Sequence, residues 1–253
     1  MSGHSKWAGI KHKKALVDAK RGKLFTKLIK ELTVAARESG GDSNSNPRLR
    51  TAITKAKEAN MPQDNIERAI KKGTGELPGV TYESVIYEGY GPGGTAILVE
   101  ALTDNRNRTT SEVRNIFAKK GGSLAGGGSV AWLFHKRGFI LIGKDKIDED
   151  ILMALALEAG AEDLKTENDV YQITCQIKDF ESVKKLLKDK SVECQVVEIT
   201  MLPVRLVKIT GTNARATLAL VESLEDCDDV QNVYSNFDIP DEILNEAQAS
   251  GAK

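Results

Sequence analysis

Residues 81–103, TYESVIYEGYGPGGTAILVEALT, decide how the rest of the chain is read. Their apolar residues follow a period of two, that of strands with a buried face. Gly91-Pro92-Gly93-Gly94 between them is a strong turn signal, so the stretch predicts two strands joined as a hairpin. What lies before it has another period. From Lys23 onward Leu24, Leu28, Leu32 and Ala35 recur every three or four residues, with Phe25 and Ile29 widening the stripe. That spacing predicts an amphipathic helix, which Gly40-Gly41 ends. Asn46-Pro47 suits an N-cap followed by proline at the first helical position, opening a second helix through Leu49, Ile53 and Ala56. Pro62 opens a third carrying Ile66, Ala69 and Ile70, with Gly73 at its C-terminal cap. The change of period falls across KKGTGELPGV, residues 71–80, which reads as a linker.

Downstream of the hairpin, Thr109 and Glu112 form a capping box for a helix carrying Val113, Ile116 and Phe117 that stops at Gly121-Gly122. SVAWLF, residues 129–134, then reads as a strand. From Gly138 the order is strand (139–142), helix (150–158), strand (162–165), strand (171–177), helix (180–188) and strand (193–201). This βαββαβ series is the split pattern of a ferredoxin-like sandwich. After Pro203 the segment VRLVKIT, a helix over 214–224 and VQNVYSNF resume a strand–helix–strand run. The predicted fold class is α+β with three domains. A basic helical domain spans 1–76, a discontinuous α/β domain spans 80–136 plus 204–240, and the ferredoxin-like α/β domain, 137–203, is inserted into it.

With 253 residues, 40% hydrophobic and 28% charged, the chain has the composition of a globular protein with a sizeable core. Its start holds no apolar run of membrane-spanning length and no apolar core of a secretory signal, so a cytoplasmic protein without a membrane partner is expected. Cys175, Cys194 and Cys227 lie far apart with no C-x-x-C spacing. Cys175 alternates with Ile173 and Ile177, and Cys194 with Val192 and Val196, so both are expected as buried strand fillers. Neither a metal site nor a cofactor is expected. GYGPGG and GGSLAGGGSV lack the lysine and helix of a phosphate-cradling loop, and His4, His12 and His135 have no nucleophile motif beside them. The sequence therefore points away from an enzyme and from a small-molecule substrate.

The formal net charge is zero, yet it is the sum of two opposite halves. Residues 1–72 carry 17 lysines and arginines against 7 acids, and the remainder carries 19 against 29. The front half thus holds an excess of +10 and the rest −10. Such a separation points to a polyanion as partner, most often nucleic acid. The densest part is HSKWAGIKHKKALVDAKRGK, residues 4–23, where Lys6, Lys11, Lys13, Lys14, Lys20, Arg21 and Lys23 face only Asp18. Lys27, Arg48 and Arg50 extend the basic set along the first two helices. Trp7 and His12 are suited to stack on bases, and Trp7 is equally suited to anchor the arm to the helical domain.

Three further clusters carry chemistry. EANMPQDNIERAIKKG has the outline of a helix-turn-helix, with Gln63, Asn65 and Arg68 able to read base edges. Asp64 and Glu67 on the same helix start oppose that reading, and simple bundle packing stands beside it. In TDNRNRTTSE, Arg106 and Arg108 sit in a connection entering a helix, where guanidinium and amide groups can gather on an anion. In ESLEDCDDV, Glu222, Glu225, Asp226, Asp228 and Asp229 crowd a helix C-terminus, where the dipole disfavours negative charge. That cost suggests a basic partner, either another surface or this chain's own basic domain in a closed form.

Four blocks carry a resemblance to a known family. GHSKWAGIKHKKALVDAKRGKLFTKLIKELTVAAR, NPRLRTAITKAKEANMPQDNIERAIKKGTG, YEGYGPGGTAILVEALTDNRNRT and LEDCDDVQNVYSNFDIP together resemble the YebC/PmpR family. That family includes the mitochondrial translational activator of cytochrome c oxidase. SLAGGGSVAWLF departs slightly, with a more glycine-rich turn than members commonly carry. The resemblance implies a helical N-terminal domain and two α/β domains, no catalytic residues, and two competing roles. One is a transcriptional regulator recognising duplex promoter DNA. The other is a translation factor that binds the ribosome, through rRNA and possibly tRNA, and eases synthesis of difficult stretches such as proline runs. The residues lean to the ribosome, with the protein acting as a monomer. The basic arm suits structured RNA, and no heptad run offers a dimer to match a palindromic operator.

Overall fold

A computed structural model describes Gly9, residues 21–167 and residues 169–250. Three helices come first: α1 (Arg21–Ser39), α2 (Pro47–Glu58) and α3 (Gln63–Thr74). Leu28, Leu32, Ala35, Leu49, Ala56, Ile66 and Ala69 interlock as their core. Asn46 caps α2 as expected, its side chain accepting from the Leu49 amide at 3.0 Å. It also donates to the carbonyls of Ala35 and Gly40, which ties the second helix to the end of the first. Gly73, expected as the cap of α3, lies inside that helix instead, and Gly75, with φ of 85°, ends it. The reason is a close helix crossing: a Cβ at Gly73 would stand 2.4 Å from the Thr33 carbonyl oxygen and 2.7 Å from the Ala36 Cβ.

The quoted hairpin forms β1 (Glu83–Tyr90) and β2 (Ala96–Thr103), paired antiparallel in full register across the turn at Pro92–Gly94. α4 (Arg106–Lys119) and β3 (Ser123–Ala125) follow. β4 (Phe134–Gly143), α5 (Glu149–Glu158), β5 (Ala161–Glu167), β6 (Val170–Cys175), α6 (Phe180–Asp189) and β7 (Cys194–Pro203) make the predicted βαββαβ unit. Its sheet has the order β5-β6-β4-β7 with antiparallel neighbours, the ferredoxin-like arrangement. The chain then returns through β8 (Val207–Lys208), α7 (Gly211–Glu225), β9 (Val230–Ser235), β10 (Phe237–Asp238) and α8 (Asp241–Ser250). β9 pairs with β2, completing the sheet β3-β1-β2-β9, so the ferredoxin-like unit is inserted between strands of one sheet. The fold is α+β with three domains. Ile97, Val99, Val113, Phe117, Leu220 and Leu224 bury the helix-covered face of the first sheet, while Leu98 on the other face meets Phe134 and Met201.

Several local expectations are corrected. SVAWLF is not a strand through its length: Ala131–Leu133 is a 3-10 turn, and the strand begins only at Phe134. The buried Glu88 carboxylate accepts the amides of Gly128, Val130 and Ala131, which removes them from any ladder. The capping box at Thr109 and Glu112 does not open α4. Asn105 does, accepting from the Arg108 amide, and the helix starts at Arg106 with Thr109 buried in its first turn. VRLVKIT pairs only over Val207–Lys208, because its parallel partner Phe237–Asp238 is cut short by Pro240. Ile177 does not share the buried face of Cys175: the strand ends at Cys175 and Ile177 is exposed. The helix α8 was not anticipated.

Candidate nucleic-acid interface

On α1, Lys23, Lys27 and Lys30 lie four and three residues apart, which sets them in one line on the helix. That line meets the acidic end of α7. The Lys23 Nζ donates to the Asp226 carbonyl at 3.1 Å and stands 3.6 Å from its carboxylate. The Lys27 Nζ donates to the Glu225 carbonyl at 2.6 Å, and the Lys30 Nζ to the Asp228 carbonyl at 2.9 Å. The Glu225 and Asp226 carbonyls are of the kind a helix end leaves without partners, Asp228 lies in the turn just beyond, and the three ammonium groups supply both donors and counter-charge. The unfavourable crowding of acids at this helix terminus is therefore met by the chain's own basic domain.

At the centre of this clasp is Asp229. Its Oδ1 accepts from the Lys30 Nζ at 2.6 Å, and both side chains are nearly buried, with exposures of 7% and 9%. Its Oδ2 accepts from Thr109 Oγ1 at 2.6 Å, Arg108 Nη2 at 2.9 Å and Thr103 Oγ1 at 3.2 Å. Burial alone would raise the Asp229 pKa. The hydrogen bonds from Lys30, Thr109 and Arg108 and the nearby ammonium charge outweigh burial and hold the carboxyl well below the ordinary range. The group is an ionised acceptor joining α1, the end of β2 and the start of α4.

The other expected cations divide. Arg48 is engaged inside the helical domain, bonding Glu31 at 2.7 and 3.0 Å and Glu38 at 2.5 Å. Arg108 bonds Asp104 and Asp229, so the anion it meets here belongs to the protein. Lys23 and Lys27, expected to face phosphates, meet carbonyls. Arg106 is exposed at the start of α4. Arg50, Lys55 and Lys57 are exposed on α2, and Arg50 also reaches the carbonyls of Ser43 and Asn44. Lys6, Trp7, Lys11, His12, Lys13, Lys14 and Lys20 lie outside the described residues, as does the side chain of Arg21. On α3 the Gln63 amide donates to the Glu67 carboxylate at 3.0 Å, so this helix start presents acids with the glutamine turned toward one of them.

Lys30, Thr103 and Thr109 were missed as members of a site, although the Lys23–Lys27–Lys30 spacing was legible as a stripe. Among the described residues there is no group of three or more histidine, cysteine or acidic side chains that could hold a metal ion. No helix among them is long and apolar enough to cross a membrane. Burial raises the Cys175 thiol to about 11, with Asp179 and Glu162 adding to it, the condition of a packed and unreactive thiol.

Fold and surfaces together define a three-domain α+β protein whose basic helical module is clasped to an acidic helix end. Its sequence matches the TACO1/YebC protein N-terminal domain over residues 5–76 and the TACO1/YebC second and third domain over 82–237, and the chain belongs to this family. A relative from Desulfatibacillum aliphaticivorans is 56% identical over 246 residues, covering 97% of this chain and all of its own. One from Natranaerobius thermophilus is 58% identical over 247 residues, covering 96% of this chain and 99% of its own. Both carry the name "Probable transcriptional regulatory protein". A conserved hypothetical protein from Aquifex aeolicus, known from its crystal structure, superposes with a TM-score of 0.79 at 50% identity, over 90% of this chain and 94% of that one.

Proposed function

We propose that this protein is a non-enzymatic nucleic-acid-binding regulatory factor of the cytoplasm, and that it works as a monomer on the RNA of the ribosome. The observation that carries this reading is the separation of charge, +10 in residues 1–72 against −10 in the rest. Lys23, Lys27 and Lys30 of that excess are held by the acidic helix end. The arm ahead of residue 21 and the exposed Arg50, Lys55, Lys57 and Arg106 are the cations assigned to phosphates. Contacts of this kind release counterions, so the affinity falls steeply with salt. The role would be positional, orienting the ribosome's own substrates during difficult stretches such as proline runs.

The names carried by the relatives favour a second reading, a transcriptional regulator on duplex DNA. The helix available for base reading weakens it. Asp64 and Glu67 are exposed at its start and Gln63 is bonded to Glu67, so acids face the place where phosphates and base edges would lie. The deciding test sediments the protein with ribosomes across a salt series while titrating promoter and scrambled duplexes in parallel. Ribosome association that survives moderate salt, with equal affinity for both duplexes, is expected. A preference for promoter over scrambled duplex of ~10³ or more would reverse the order of the two readings. Arg106→Ala is the variant for the α4 surface, since replacing Arg108 would also disturb Asp229.

A further inference from the structure

Trp132 is the most exposed large apolar side chain among the described residues, at 68%, and yet it is tethered. Its Nε1–H donates to the Ser129 carbonyl at 3.1 Å. The Tyr90 hydroxyl, on a ring that is 40% exposed, donates to the same carbonyl at 3.2 Å. Beneath them the loop is fixed by the buried Glu88 carboxylate, which accepts three backbone amides at 2.6 to 2.8 Å. Val130 and Phe134, on either side of Trp132, are buried against Ala96 and Leu98. The loop leading to it is open as well: a Cβ added at Gly126 or Gly127 would meet nothing within 4 Å. The outcome is a pre-positioned, open aromatic face. Fixing it in advance lowers the ordering cost of anything that stacks on it.

The charge of the flanking sequence is equally specific. Residues 113–144 contain six lysines and arginines and not one aspartate or glutamate, although they lie in the part of the chain whose net charge is −10. Lys119 and Lys120 are exposed at the end of α4, just before the strand whose Ser123 pairs with Tyr90. His135 and Lys136 are exposed immediately after the Trp132 turn. Exposed cations thus precede and follow the Trp132 loop along the chain. A strand of nucleic acid offers what this surface lacks, phosphates for the cations and a flat π-face for the indole. A duplex keeps its bases stacked and offers only the first of these.

We propose that the glycine-rich loop over 126–132 is a second nucleic-acid contact, at which an unpaired base stacks on Trp132 while Lys119, Lys120 and Lys136 meet the flanking phosphates. The inference rests on the nucleic-acid reading above but on residues separate from the N-terminal arm. The test titrates the full chain with a short single-stranded oligouridylate and with the same strand annealed to its complement. Binding is followed by anisotropy of the labelled RNA and by the tryptophan fluorescence lost in Trp132→Ala. The quench is expected with the single strand and not with the duplex, and Trp132→Ala is expected to weaken single-strand binding about tenfold, with Trp132→Phe close to the parent. Replacing Lys11, Lys13, Lys14 and Lys20 by alanine weakens affinity but leaves the Trp132 quench at saturation. Unaltered single-strand affinity in Trp132→Ala would overturn the stacking site and leave the general nucleic-acid reading standing. Absence of RNA binding by the parent chain would overturn both. A polyglutamate peptide that quenches Trp132 as strongly as the RNA would overturn the assignment in favour of an acidic protein partner.

Discussion

Asp229 shows how much one buried carboxylate can hold. Lys30 reaches it from 199 residues away in sequence, and Thr103, Arg108 and Thr109 reach it from the opposite side. Removing either end of the pair is not symmetrical. Asp229→Ala leaves the Lys30 ammonium buried with the Asp228 carbonyl and the face of the Tyr82 ring but no counter-charge, and is expected to cost about 3–5 kcal/mol. Lys30→Met leaves Asp229 with three donors and should cost about half as much. Urea denaturation of the two variants measures the difference, and equal losses would mean that the pair carries no such asymmetry. Residues 222–229 alone suggested a basic partner, with the chain's own basic domain as one of two alternatives, but not which lysines would meet which carbonyls and carboxylates.

At the scale of elements, helix periods, the β-hairpin and the βαββαβ order were legible because each depends on residues a few positions apart. What failed was punctuation. Gly73 looked like a cap because glycine favours helix ends, but here it serves the crossing of α3 on α1. Gly73→Ala would ordinarily strengthen a helix by about 1 kcal/mol. With a backbone oxygen 2.4 Å from the added carbon, it is expected instead to destabilise by about 1–3 kcal/mol. A fall in the thermal midpoint of residues 1–76 or of the full chain is the check, and a rise would show that the helices can separate freely. Thr109 was misread likewise. Its hydroxyl suits a cap, but Asn105 takes that place and Thr109 turns inward to Asp229.

For the whole molecule, the clasp makes stability depend on pH with a definite sign. The folded pKa of Asp229 is depressed, so its contribution is present above the unfolded carboxylate value and is lost as pH falls. Glu88 behaves in the same direction: burial would raise it, but amides of Val130, Gly128, Ala131 and Ser129 lower it further. Stability should therefore decline progressively below about pH 4, as the unfolded chain takes up protons that the native groups resist. Urea midpoints between acid and neutral pH measure this, and Asp229→Asn should give a flatter profile. Salt acts differently on the two ends of the clasp. The half-exposed Lys23–Asp226 contact is screened, whereas the buried Lys30–Asp229 pair is not. Scattering at low and high salt is accordingly expected to show the helical domain docked in the parent chain under both conditions.

By itself the sequence determined the three-domain α+β plan, the ferredoxin-like insertion and the opposed charges of its two parts. These follow from local period and composition, which a chain carries whether or not it is folded. Only the tertiary structure decided which cations remain available to a partner. It set Lys23, Lys27 and Lys30 on the acidic end of α7, set Arg48 on Glu31 and Glu38, and left Trp132 open above a loop pinned by Glu88. The physical reason is that an ion pair is fixed by distance in space and by burial, and neither is written in the spacing of residues along a chain.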